Sequence, residues 1–513
     1  MRTARWLLPI CLMLAAASCS SGDDSSGPAA SKKPATDPLV LTTSLGKVRG
    51  TNSGTVDVRA FLSVPYAAAP TGPRRWQPPR PAPRYDGVLD ATKPGPSCPQ
   101  DVGGSTAGFT KIPDPAEDCL SLDVWSPTDA KGLPVMVWIH GGGLRAGSAH
   151  QVYYQGDDLA ADGVVVVSPN YRLGPFGFLA TDELAEESDD GSYGNYGLAD
   201  QVEALKWVQR NAASFGGDPD NVTIFGESAG GTSVCAHLAS EGSDKLFQRA
   251  IIESGGGCGA LQGGAEAQDA GASFLEAAGC DDIACLRDVP TDKVLATDFD
   301  ANFVADGVRL SDTGRERAAR GDLDDKQVII GSNAEEAVLF TVGMSEPRDD
   351  AQLIQLAGQL TDQPEALLAL YPPGDFATRL DRYRTMLTDA RFTCPTLAFA
   401  EAASNDTYLY NFVYTSPDGR FSVATHGAEL AFLFAHPEGV TGQQPGLDGA
   451  DAEVSTAMQA AWTAFAKTGE PGEAWQPYAE AQKATVLDNP FKLVDQIRDG
   501  RCTDVNRLTT LRR

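Results

Sequence analysis

The chain is predicted to be an α/β protein built on a large, mostly parallel central sheet flanked by helices. Two observations carry this. Short apolar, β-branched runs recur at 135–139, 164–167, 222–225, 250–252, 328–330 and 408–412, separated by longer segments of helical pattern. Such nearly continuous apolar runs suit parallel strands covered on both faces. In addition, two of these runs open directly onto glycine-rich turns, where an open α/β sheet places its ligands, outside the carboxyl ends of the strands.

The first 38 residues do not belong to that sheet. Arg2 and Arg5 precede an apolar run at 6–17, then small residues and Cys19. This has the form of a secretory signal over 1–18, its apolar part well short of the ~20 residues needed to span a bilayer. The ending Ala16-Ala17-Ser18-Cys19 resembles a bacterial lipoprotein processing site in which Cys19 becomes the lipidated first residue. Ala16 stands where such sites usually carry leucine, and cleavage after Ala15-Ala16-Ala17 would instead release a soluble protein. Residues 19–38, rich in Ser, Gly, Asp, Pro and Lys, read as a flexible tether. Membrane contact is then expected only through the lipid anchor, in the cell envelope, with secreted or periplasmic protein as the alternative. From residue 39 to 513 the composition is that of a globular domain, with no internal repeat.

The chain carries 41 basic and 69 acidic residues, a net charge of −28. That surface repels phosphate backbones, so nucleic-acid binding is not expected. The short charged run Asp322, Asp324, Asp325 and Lys326 reads as a solvated turn. Two helical stretches, 262–320 and 349–403, read as insertions that wall a site above the sheet. Export implies an oxidising compartment, so the eight cysteines beyond Cys11 and Cys19 are read as disulfide partners. No two histidines have metal-ligand spacing, and neither a metal nor an organic cofactor is expected.

The chemistry begins at the run 222–225, which leads into Gly226-Glu227-Ser228-Ala229-Gly230. Glycines two positions either side of Ser228 permit the sharp strand-to-helix turn of a nucleophile elbow. After the run 135–139 comes His140-Gly141-Gly142-Gly143. Glycines there let backbone N–H groups converge on an oxyanion, each such donor being worth about 3 kcal/mol. With the N–H of Ala229, this loop has the makings of an oxyanion hole.

A serine hydroxyl needs a histidine base, and the base needs a carboxylate to orient it. In this arrangement the chain order is Ser, acid, His, and only His237, His426 and His436 follow Ser228. His237 falls on the helix leaving the elbow, about 13 Å along its axis, and reads as a packed helical residue. His426 follows the run 408–412 and a polar loop, where a mobile base belongs, with His436 as the runner-up. The run 328–330 opens onto Ala334-Glu335-Glu336-Ala337, and either glutamate satisfies the order.

On these residues the chain resembles the type-B carboxylesterases, a family that includes bacterial para-nitrobenzyl esterases, fungal lipases and cholinesterases. The resemblance covers roughly residues 45–508. Its landmarks are FLSVPY at 61–66, EDCLSLDVW at 117–125, NYRLGPFGFL at 170–179, GNYGLADQ at 194–201 and FGGDPDNVTIFGESAGG at 215–231. It implies an α/β-hydrolase fold with helical insertions around an active-site gorge. It implies an exported serine carboxylic-ester hydrolase acting on a small-molecule ester through an acyl-enzyme. Ser228 is then nucleophile, His426 base and Glu336 the orienting acid, with Glu335 the alternative. Gly142, Gly143 and Ala229 are implied as oxyanion donors and Glu227 as a buried supporting carboxyl. The same resemblance pairs Cys98 with Cys119, Cys280 with Cys285 and Cys394 with Cys502, leaving Cys235 and Cys258 to pair or stay as thiols.

Two departures bear on substrate. Leu144 follows the glycine loop where the family commonly has an aromatic residue, and the loop between Cys98 and Cys119 lacks the tryptophan with which cholinesterases stack a quaternary ammonium. Both argue against choline-ester specificity. Relatives that act as lipases at oil interfaces, or as noncatalytic adhesion proteins, define the alternative functions. The physiological ester and the oligomeric state are open at this stage.

Overall fold

Eleven strands form one sheet in a computed structural model that describes residues 37–101, 112–404, 406–436, 446–498 and 500–509. The leader, Cys19 and all but the last two residues of the tether lie outside the described residues, and the described chain from Pro38 on forms one compact unit. In chain order the strands are β1 (Thr51–Asn52), β2 (Val58–Pro65), β3 (Ser121–Pro127), β4 (Leu133–Ile139), β5 (Val165–Pro169), β6 (Gly217–Glu227), β7 (Arg249–Glu253), β8 (Gln327–Asn333), β9 (Thr407–Phe412), β10 (Ala484–Leu487) and β11 (Lys492–Val494). They lie side by side as β11-β10-β9-β8-β7-β6-β4-β5-β3-β2-β1. From β5 across to β10 every pair is parallel, while both margins are antiparallel.

The expected apolar runs all fall on these strands, and alternation explains why they are apolar throughout. Val135, Val137 and Ile139 of β4, with Val328 and Ile330 of β8, pack into one core. The intervening Met136, Trp138 and Ile329 pack into another. Each run therefore feeds two cores, as strands covered on both faces must. The principal helices are α1 (Tyr196–Asn211), α2 (Ala229–Ala239), α3 (Gly264–Ala277), α4 (Arg379–Thr388), α5 (Cys394–Ala402), α6 (Gly449–Thr468) and α7 (Cys502–Thr509). Leu205 and Val208 of α1 and Val234 of α2 seal the first core; Met458, Trp462 and Phe465 of α6 seal the second.

The two insertions have cores of their own. Leu353, Leu367, Tyr371, Tyr383 and Met386 gather around Val505 and Leu508 of α7. Phe274, Ile283, Leu286 and Val294 pack on Trp76, Phe176 and Tyr196. The first insertion is not wholly helical, because Gln262–Gly263 pairs in parallel with Val304–Ala305. The charged turn also differs from expectation. Its three aspartates are exposed, but Lys326 is buried, with its Nζ 5.6 Å from the centre of the Phe247 ring and 2.7 Å from Asp325. Snorkelling explains this: the aliphatic stem covers apolar surface while the ammonium keeps an anionic partner.

Four disulfides join the eight cysteines of the folded unit: Cys98 with Cys119, Cys280 with Cys285, Cys394 with Cys502, and Cys235 with Cys258. The last resolves the pair that sequence left open, bringing two Cα atoms 23 residues apart to 4.9 Å. Among the described residues no helix is long and apolar enough to cross a membrane. Cys394 to Cys502 closes a loop of 108 residues, a crosslink worth about 5 kcal/mol by loss of unfolded-chain entropy. Replacing both cysteines by serine is therefore expected to lower the urea midpoint clearly, and an unchanged midpoint would show that this crosslink adds no stability.

Candidate active site

The parallel register sets the site. Ile139 of β4, Gly226 of β6, Ile252 of β7 and Ile330 of β8 lie in one row across the sheet, so the loops that follow these strands emerge at one edge. Ser228 follows Glu227, the last residue of β6, and starts α2 with φ 57° and ψ −122°. A β-carbon-bearing residue seldom holds that conformation, and the surroundings enforce it. Ser228 N–H donates to the Glu253 carbonyl at 2.9 Å, and Thr232 N–H donates to the Ser228 carbonyl at 2.8 Å. A Cβ on Gly230 would stand 1.9 Å from the Ile139 carbonyl oxygen. Glycine there is what lets α2 start so close to β4.

The glycine loop after β4 is held from behind. The Tyr171 hydroxyl donates to the His140 carbonyl at 2.8 Å, and the two rings stack with centroids 4.4 Å apart. Burial lowers the His140 pKa to about 4, so the ring is a neutral packing element. Gly142 has φ 109°, and a Cβ there would lie 2.1 Å from the Ala146 carbonyl oxygen. Gly143 and Ala229 line a cavity of about 750 Å³ together with Ser228, and Gly142, next to Gly143, is exposed. Leu144 lines the same cavity, so this edge is aliphatic. Residues 102–111 of the Cys98 to Cys119 loop lie outside the described residues.

Glu336 and His426 meet as the sequence order requires. The His426 Nδ1 lies 2.7 Å from Glu336 Oε2. The other carboxylate oxygen of Glu336 accepts from the Ser254 hydroxyl at 2.6 Å and the Asn333 N–H at 2.8 Å. Glu336 is fully buried, whereas Glu335 is exposed and remote from this network. His237 is buried without a hydrogen bond to its ring, its pKa lowered to about 3 by burial, as a packed helical residue should be. His436 lies apart, 3.3 Å from Asp157, with Asp158 beside it at 3.9 Å.

One feature departs from the expected geometry. Among the described residues, no hydrogen bond joins the Ser228 hydroxyl to His426, and the His426 Nε2 instead lies 3.1 Å from Glu227 Oε1. Glu227 is thus beside the imidazole and not only beneath the elbow. Burial pulls the His426 pKa down, but the Glu227 and Glu336 carboxylates outweigh it and raise it to about 9. Burial raises Glu227 to about 7 against the pull of His426. Catalytic hydrogen bonds in unliganded sites are often loose and tighten only around substrate.

Sequence reasoning missed two further buried carboxyls. Glu429, one turn beyond His426, hydrogen-bonds Asn333 through its Oε2, and burial followed by the Glu227 and Glu336 charges raises it to about 8. Glu253 accepts from Trp462 Nε1 at 3.1 Å and is driven well above the carboxylate range, first by burial and then by Glu429. Ser254 was also missed, although it lies two residues past the predicted strand 250–252, where site residues are to be sought. The aromatic rings of Phe340 and Phe392 stack on each other and flank His426, with centroids 4.9 and 5.1 Å from its ring.

These shifts fix a pH dependence of stability. A buried carboxyl raised from 4.5 to about 8 binds a proton in the folded state that the unfolded state has released, so Glu429 makes stability fall as pH rises through that window. His426, raised from 6.5 to about 9, stabilises fully below 6.5 and loses that contribution as pH rises through about 9. Urea midpoints are expected to decline from pH 5 to pH 9, and to decline less in Glu429→Gln. An equal decline in both proteins would show that Glu429 is not protonated in the fold.

Comparison with known proteins places this geometry in context. The profile of the Carboxylesterase family matches residues 37–503. The chain is 36% identical to the para-nitrobenzyl esterase of Bacillus subtilis (strain 168) over 473 residues, covering 87% of this chain and 94% of that protein. It is 35% identical over 459 residues to the fumonisin B1 esterase of Sphingopyxis macrogoltabida, covering 83% of each. A solved PNB esterase superimposes with a TM-score of 0.81 at 33% identity, over 92% of this chain and 99% of that one. A thermophilic PNB esterase gives the same TM-score and identity over 91% and 100%. The fold is the α/β-hydrolase fold, the activity is carboxylic-ester hydrolysis, and the chain belongs to the carboxylesterase family.

Proposed function

We propose that this carboxylesterase works through Ser228, His426 and Glu336, with an acyl-enzyme on the Ser228 oxygen. The observation that carries this is the 2.7 Å contact between His426 and a Glu336 carboxylate whose other oxygen is satisfied by Ser254 and Asn333, at the strand edge where the elbow exposes Ser228. A carboxylate so held orients the ring and stabilises the imidazolium that forms as Ser228 attacks. The attack turns the ester carbonyl into an oxyanion, for which the N–H groups of Gly142, Gly143 and Ala229 supply the donors. His426 then passes the proton to the leaving alcohol, and water repeats the sequence to free the acid. The Glu227 contact supports a resting state in which His426 is held beside the Glu227 carboxyl until substrate draws it toward Ser228.

The reading also takes residues 1–18 as a removed signal, 19–38 as a tether on a lipidated Cys19, and 39–513 as one catalytic domain. Four disulfides support an oxidising compartment, hence export.

With p-nitrophenyl acetate or butyrate, Ser228→Ala is expected to lose nearly all turnover, and Glu336→Gln to lower kcat about 10⁴-fold. Turnover retained in the serine variant would overturn the assignment. In a bacterial host, Cys19→Ala is expected to move the protein from the membrane fraction to the soluble one; wild type already found wholly soluble would mean ordinary secretion.

A further inference from the structure

The cavity above Ser228 contains an arginine that has nothing to bind. Arg391 lines it, is exposed, and makes no hydrogen bond or ion pair through its guanidinium among the described residues. The anchoring of its backbone is the opposite of loose. Arg391 and Phe392 sit on a single turn of π-helix, Asp389–Thr393, a geometry that recurs at functional sites. At the start of that turn the buried Asp389 is tied to the Tyr371 hydroxyl at 3.1 Å and to Arg498 Nε at 2.8 Å. At its end, Cys394 is crosslinked to Cys502. Between them Phe392 stacks on Phe340 and faces the His426 ring. The turn that carries Arg391 is therefore held by an ion pair, a disulfide and the catalytic histidine's own aromatic neighbours.

The other charges of this cavity are Glu266, Asp300 and Glu316. Asp300 is paired with Arg145 at 2.6 Å, and Glu316 is engaged by the Thr313 N–H and hydroxyl in a capping box. Glu266 lies in the first turn of α3, where the helix dipole favours a negative charge. Two anions of the cavity thus have partners and the third has the helix terminus, whereas its arginine has none. In a chain of net charge −28, Arg391 is the one basic group among the described residues that line this cavity, and its acidic neighbours are already engaged.

We propose that Arg391 is a specificity-determining residue that binds a carboxylate on the substrate, so that the preferred esters carry a free anionic group within the same cavity as the scissile bond. The inference rests on the assignment of Ser228 as nucleophile. A guanidinium presents a planar fork that matches a carboxylate with two parallel hydrogen bonds, and a rigid backbone limits the entropy lost in forming them. The aromatic pair Phe340 and Phe392 offers an apolar surface beside it, suited to the carbon skeleton that joins the two groups. Small residues Gly255, Gly256, Gly259 and Ala260 line the same cavity.

The test compares charged and neutral esters of matched length. The pairs are mono-4-nitrophenyl glutarate with 4-nitrophenyl butyrate, which places the anion on the acyl side, and 4-acetoxyphenylacetate with 4-methylphenyl acetate, which places it on the alcohol side. In at least one pair the ratio of kcat/KM, charged over neutral, is expected to fall tenfold or more in Arg391→Gln. Arg391→Lys should restore part of it, and added salt should erode it in wild type. Ratios equal in wild type and Arg391→Gln for both pairs would overturn the proposal, as would a preference for a cationic ester that Glu266→Gln abolishes. If instead Ser228→Ala still turns over the neutral esters, the nucleophile assignment fails, an outcome distinct from an unmoved ratio.

Discussion

Everything in the site depends on how closely two backbones approach at the elbow. The Ile139 carbonyl stands where a Cβ on Gly230 would be 1.9 Å away, and a Cβ on Gly226 would fall 2.6 Å from the same oxygen. Only glycine at both positions lets α2 begin against β4, and only that start pushes Ser228 into its left-handed turn above the sheet. Once this contact is made, the parallel register aligns the remaining parts. Glu227 and Glu253 lie side by side at the ends of β6 and β7, so Ser254 is adjacent to the elbow and can reach Glu336. The glycine loop after β4 faces the same point from the other side. A steric constraint of a few atoms thus determines where four separate loops converge.

The second constraint is electrostatic. Four glutamates, Glu227, Glu253, Glu336 and Glu429, are buried around one imidazole. Full ionisation of all four in a low-dielectric interior would be very costly, and burial instead drives Glu253, Glu429 and Glu227 toward their protonated forms. Glu336 is treated differently by its surroundings. It receives three hydrogen bonds, including one from the ring, which fix both of its carboxylate oxygens. The cluster thereby separates one carboxyl held through both oxygens from three that burial drives toward protonation. Trp462 provides one partner for Glu253 and Asn333 one for Glu429.

Much of this was legible in the sequence, for identifiable reasons. The apolar runs marked the strands because parallel strands are covered on both faces. Ser228 and the glycine loop were legible because their geometry requires glycine at fixed spacing. His426 was favoured over the runner-up His436 because it follows a strand and a polar loop. What sequence could not give was which of two adjacent glutamates turns inward: Glu335 and Glu336 differ only in their angle on a single turn, and resemblance rather than spacing favoured Glu336. Glu429 and Glu253 were invisible because burial of a charged residue leaves no periodic trace when it lies at a strand end or a loop turn. The pairing of Cys235 with Cys258 likewise depended on a distance that no spacing encodes. Lys326 was misread for the same reason, since a charged run says nothing about where one long side chain is folded.

The division between scaffold and specificity follows from how the insertions are built. Each has its own small core and a disulfide within or beside it: Cys280 with Cys285 in the first, Cys394 with Cys502 in the second. The central sheet does not depend on the identity of the side chains these insertions turn toward the cavity, so those side chains can vary at little cost to folding. Arg391 is of this kind. Its backbone turn is fixed by buried partners and its guanidinium is left to the cavity, which separates the energy that positions the group from the energy available to bind with it. Ser228, His426 and Glu336 have no such freedom, because the close backbone approach at the elbow fixes the first and the buried network fixes the other two. Reaction type is therefore written into the constrained interior, and substrate choice into the walls that the interior merely supports.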